Sequence, residues 1–139
     1  MAGTSLAVFA RIGRAASAAF TIRCPHCDRP LPGEKEVSLR SRTWERILKR
    51  AEHALHVWDS KYGPLNAAQW EYAGDLITFA LEKSAARQDV GERYAWFEQE
   101  LTALLGHERV HAGFQSRGTE RNEEFLESLG EVFEGVPVA

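Results

Sequence analysis

Cysteine is scarce in this chain: there are two, Cys24 and Cys27, too few and too close together for the disulfide framework of a small secreted domain. They read instead as metal ligands or a redox pair in a reducing compartment, and we expect a cytoplasmic protein. Long apolar runs are also missing, so nothing approaches the roughly 20 residues that span a bilayer. Acid is absent from the first 27 residues, which are rich in Ala, Arg and Ser in the manner of an organellar presequence. We expect this segment to be retained as an ordered arm packed on the domain. Alternating apolar patterns almost vanish after residue 40, and there is no internal repeat or low-complexity tract.

What is present suits one domain of modest core: 139 residues, 44% hydrophobic and 27% charged. The net charge of −3 conceals an asymmetry. Residues 1–50 hold ten Lys and Arg against four acids, a net of +6, whereas the remainder holds seven against sixteen, a net of −9. A basic front and an acidic rear suit an anionic and a basic partner respectively, or attract each other within the fold or an oligomer.

From Thr43 onward the periodicity is helical. Trp44, Ile47, Leu48, Ala51, Leu55, Trp58 and Tyr62 keep three-and-four spacing, and Gly63-Pro64 ends that helix. Asn66 followed by Gln69 is a capping-box start for a second helix reaching about Ala86, apolar on more than one face and hence central. Asp89 with Glu92 opens a third, whose stripe of Val90, Tyr94, Phe97, Leu101 and Leu104 extends at the same spacing to Glu108 and His111, with Gly113 as its stop. Thr119 caps a fourth, amphipathic helix with Phe125, Leu126, Leu129, Val132 and Phe133 on one side. In the N-terminal third, Phe20 and Ile22 alternate into the cysteine turn and Val37 and Leu39 alternate out, which predicts a short hairpin. Leu6, Val8 and Phe9 fit either a strand or a helix. The fold class expected is all-α, about four helices, with an N-terminal zinc-knuckle hairpin stapled to the body: residues 1–39 form the basic arm and knuckle, residues 40–139 the helical body.

The chemistry concentrates in two motifs. Cys24-Pro25-His26-Cys27 presents two thiolates from one tight turn and resembles the knuckle of zinc ribbons and treble clefs. His107-Glu108-Arg109-Val110-His111 sets two imidazoles one helical turn apart. Together Cys24, Cys27, His107 and His111 complete a tetrahedral structural zinc shell whose metal fastens the arm to the third helix and contributes directly to folding. His26, His53 and His56 are rival ligands.

The five-residue H-E-x-x-H segment also resembles the zincin signature. That resemblance implies a zinc metallopeptidase with Glu108 as general base and Glu127, Glu131 or Glu134 as third ligand. Arg109 departs from the family's pattern, the metzincin continuation is absent, and the chain shows almost no strand signal after residue 40, whereas zincins align their peptide along the edge strand of a sheet. A thioredoxin-like context for the cysteines is lacking, and Glu108-x-x-His111 is half of a di-iron bundle site whose second half does not occur. Arg50 with His56 matches the loose Arg-and-His pattern of helical HEPN nucleases, as chance also would. The basic run Arg40, Arg42, Arg46, Lys49 and Arg50, with Trp44 nearby, suits phosphate or an acidic protein surface. The function expected is therefore a zinc-stabilised adaptor, regulator or inhibitor, a class that includes phage-encoded inhibitors of host defence, acting by occluding a protein surface. The alternatives are the metallopeptidase and a nucleic-acid-binding regulator using the basic third.

Overall fold

The computed structural model describes residues 2–20, 34–87, 89–116 and 123–134. Within them all regular structure is helical: α1 (Ala2–Ala19), α2 (Glu34–Tyr62), α3 (Ala67–Ser84), α4 (Val90–Gly106), α5 (Glu108–Gln115) and α6 (Glu123–Glu134). The all-α expectation holds. The expected count of four is replaced by six helices among the described residues. The hairpin turn with Cys24, His26 and Cys27, and Thr119, lie outside them. The outgoing arm of that hairpin is corrected: Val37 and Leu39 belong to α2, which begins at Glu34, nine residues before Thr43, and runs unbroken across residues 39 and 40.

The central helix is α3, with α1 packed on one side and α4 on another, while α2 lies along α4 and the shorter α5 and α6 rest on α3. The sequence dictates this order, because Tyr72, Ala73, Leu76, Ile77, Phe79, Ala80 and Leu81 are all buried, and a helix apolar over more than one face needs neighbours on more than one side. Its start is the expected capping box: the Asn66 side chain accepts from the Gln69 amide while the Gln69 side chain accepts from the Asn66 amide. Just before it, Gly63 at φ 75° turns the chain out of α2, a left-handed conformation that costs a Cβ-bearing residue about 1–2 kcal/mol. Asp59 holds the turn by accepting from the Leu65 amide at 3.1 Å.

The ambiguity at Leu6, Val8 and Phe9 resolves as helix, since Val8, Ile12, Ala16 and Ala19 form a buried stripe at helical spacing. Arg11 fastens α1 to α3, pairing with Asp75 at 2.8 Å and donating to the Glu71 carbonyl at 3.0 Å. Helix α1 thus shares one core with the other described helices. Each fully buried aliphatic side chain such as Ile12 contributes roughly 1.5–3 kcal/mol through apolar burial.

Candidate functional site

The H-E-x-x-H segment does not continue the helix that precedes it. Gly106, a poor helix former, is followed by His107 in extended backbone at φ −77° and ψ 131°, so α4 ends and α5 begins at this residue. The break changes which residues face inward. Phe97, Leu101 and Leu104 are buried on α4, but on α5 the buried positions are Val110, Gly113 and Phe114, whereas Glu108 is exposed and His111 half-buried. The expected extension of one apolar stripe through Glu108 and His111 is corrected accordingly. Gly113 is not the stop either, because α5 runs to Gln115.

His107 is the N-cap of α5. Its Nδ1 accepts from the Arg109 amide at 3.2 Å, satisfying one of the donors that a helix start leaves unpaired. A ring nitrogen that accepts carries no proton, so in the neutral ring the proton sits on Nε2. The ring packs edge-on against Phe133 of α6 at a centroid separation of 5.5 Å. Arg109 adds to the link between α5 and α6, hydrogen-bonding Ser128 and lying 5.3 Å over the Phe125 ring.

One turn later, the His111 amide donates to the His107 carbonyl at 3.1 Å, and its ring turns toward the end of α2. Lys61 Nζ lies 3.3 Å from Nε2, and the Tyr62 hydroxyl pairs with Nδ1. Lysine can only donate, so Nε2 is the acceptor and Nδ1–H donates to the Tyr62 oxygen. Burial lowers the His111 pKa, Lys61 and His107 push the same way, and Glu108 opposes them. The ring is therefore neutral at pH 7. Burial also raises the Tyr62 hydroxyl, so it too is neutral. The Tyr62 ring stacks on Phe114 at 4.7 Å, and Phe114 continues to Trp58 at 5.3 Å and edge-on to Tyr72 at 4.9 Å. Through this aromatic column His111 clamps α5 to both α2 and α3.

The remaining candidates are dispersed. His53 and His56 are exposed on α2, and Glu127 and Glu131 are exposed on α6. Among the described residues no group of three or more His, Cys, Asp or Glu side chains gathers to hold a metal. Cys24 and Cys27, the thiolate half of the expected shell, lie outside those residues. Lys61 and Tyr62 were missed by sequence reasoning, which placed Tyr62 on the apolar stripe and gave Lys61 no role. The available signal was their position directly before Gly63-Pro64, where a helix end offers side chains to whatever packs beside it.

Arg40, Arg42, Arg46, Lys49 and Arg50 share α2. Arg42, Arg46 and Lys49 are exposed, and α4 engages two of the cations: the Arg46 guanidinium lies 5.7 Å over the Tyr94 ring, and Arg50 hydrogen-bonds the Thr102 hydroxyl. The α2–α4 seam thus carries a row of cations, two of them anchored.

Comparison with known protein families, with curated proteins and with solved structures finds no match for this chain.

Proposed function

We propose that this chain is a small binding protein, a regulator or inhibitor, which sets the cationic face of α2 against an acidic surface of a protein partner and occludes it. The observation that carries the reading is the anchoring of Arg46 and Arg50 by Tyr94 and Thr102. Long cationic side chains lose rotamer freedom when they bind, and two that are already held lose less, which favours a defined interface over a merely solvated face. Arginine is also enriched where interfaces concentrate their binding energy. The acidic α6, with Glu124, Glu127 and Glu131 exposed, favours a compact protein partner over a long polyanion lying across the molecule. The engagement of His107 as a helix cap and of His111 by Tyr62 and Lys61 supports a structural role for the H-E-x-x-H residues rather than turnover.

The test pairs Arg42→Glu with Lys49→Glu, both exposed, and measures binding to a Glu-rich helical peptide and to single-stranded and duplex oligonucleotides. Binding of the acidic peptide that weakens at least about tenfold in the double variant, without a saturable oligonucleotide complex, is the expected result. A salt-dependent, submicromolar complex with DNA would instead establish the nucleic-acid-binding regulator.

A competing reading keeps the structural zinc. It is favoured by the one-turn separation of His107 and His111 on α5, to which Cys24 and Cys27 would add two thiolates. In that reading Lys61 must leave Nε2 of His111, because an ammonium ion opposes a divalent cation at the same nitrogen, and His107 must give up the hydrogen bond from the Arg109 amide, since metal on Nδ1 takes the accepting lone pair and metal on Nε2 leaves the proton on Nδ1. Metal analysis of the purified chain separates the two.

A further inference from the structure

Phe79, Glu82 and Lys83 near the end of α3 face Leu126 and Glu127 of α6 across a cavity of about 420 Å³. Its floor is apolar, from Phe79 and the half-buried Leu126, and carboxylates stand on both banks, Glu82 on one and Glu127 on the other. On α6 the acidic side continues, since Glu124, Glu127 and Glu131 recur at three and four residues and are all exposed. The groove also contains a cationic side chain of the protein itself. Lys83 Nζ lies 5.8 Å over the Phe79 ring, and a Cβ added to Gly130 would stand 2.7 Å from both Cε and Nζ of Lys83. The lysine stem thus runs along bare α6 backbone that glycine alone leaves open, with its ammonium among an aromatic face and acidic neighbours.

We propose that this groove is a second docking site, distinct from the α2 face, for a basic amphipathic segment of a partner protein. The segment inserts an apolar side chain between Phe79 and Leu126, sets Lys or Arg against Glu82 and Glu127, and takes over the place that Lys83 occupies. Charge complementarity selects this occupant: carboxylates flanking an apolar slot repel an acidic or phosphorylated segment and complement an apolar anchor flanked by cations. The site of Lys83 is the internal precedent for the chemistry the groove accepts.

The test uses the full chain and a fluorescent helix-forming peptide of roughly four turns, with Leu at i, i+3, i+4 and i+7 and Lys elsewhere, read by anisotropy at physiological ionic strength. The parent should bind it saturably. Glu82→Lys with Glu127→Lys, two exposed positions whose helical folding is checked by circular dichroism, should weaken binding at least about tenfold, as should replacing the peptide's Leu by Ser. Lys83→Ala vacates the groove and should tighten binding about threefold, whereas Glu45→Lys with Glu52→Lys on α2 should change it less than about twofold. The proposal is overturned by absence of saturable binding, by equal affinity for the Ser peptide, by an equal loss in the α2 variant, or by an unchanged Lys83→Ala. Self-association of the parent that Glu82→Lys and Glu127→Lys abolish would assign the groove to a second copy of the chain and overturn the partner named here.

Discussion

Replacing His111 by Ala should loosen α5 from the end of α2. The change removes the hydrogen bond to the half-buried Tyr62 and the contact with Lys61, and takes half of a ring's burial with it. A neutral intramolecular hydrogen bond contributes about 0.5–1.5 kcal/mol net, and the lost partial burial adds about 1 kcal/mol. We therefore expect a loss of about 2 kcal/mol, or roughly 5–8 °C in Tm for a domain of this size. The pH dependence has a defined sign. Burial, followed by Lys61, holds the folded-state pKa of His111 below its ordinary value, so in the window beneath about 6.5 the unfolded chain binds the proton more readily than the folded one. The stabilisation by His111 is complete above that window and is lost as pH falls through it. Urea melts of parent and variant at about pH 7.5 and about pH 5 should therefore differ more at the higher pH. A Tm change under about 1 °C at neutral pH, or a gap that does not narrow on acidification, would refute the reasoning.

Gly113→Ala should be among the most damaging small changes, costing about 1–3 kcal/mol or more, because its Cβ would lie 2.2 Å from the Tyr72 hydroxyl oxygen and 2.3 Å from Cζ inside the core; chemical denaturation measures it. Gly63→Ala meets no atom within 4 Å yet should cost about 1 kcal/mol through its positive φ alone, so Gly63→Asn, which tolerates that region better, should recover part of the loss. His107→Ala should cost about 0.5–2 kcal/mol through loss of the cap, and His107→Asn should restore most of it in thermal melts. Chelator treatment should leave Tm unchanged; about one zinc per chain, with metal and Tm both lowered by Cys24→Ser, would establish the four-ligand shell instead.

The helix starts that use local polar chemistry were legible in the sequence. Asn66 with Gln69 builds its capping box, Asp89 accepts from the Gly91 and Glu92 amides to open α4, and Gly63 ends α2. The hidden features depend on context. Val37 and Leu39 alternate as a strand would, but two apolar residues are too few to fix a period, and here they lie in the N-terminal part of α2. The apolar spacing of α4 gave no hint of a stop, because Glu108 and His111 continue its numbering. The interruption comes from Gly106 and from the capacity of His107 to cap, and burial then passes to Val110 and Phe114. In the candidate site, the imidazoles were found by motif, whereas Lys61 and Tyr62 lie about fifty residues away in sequence and meet His111 only through packing of α2 and α5. Pairing of the basic residues with α4 was likewise invisible, since Tyr94 and Thr102 carry no signature of their own.

The central claim, that the H-E-x-x-H residues hold α5 in place and the protein acts by binding, is tested most directly by incubating the chain with zinc and a peptide library and reading cleavage by mass spectrometry. The account predicts no chelator-sensitive cleavage and identical behaviour in Glu108→Gln, whose parent side chain is exposed on the first turn of α5. Zinc-dependent cleavage by the parent that disappears both with chelator and in Glu108→Gln would contradict it.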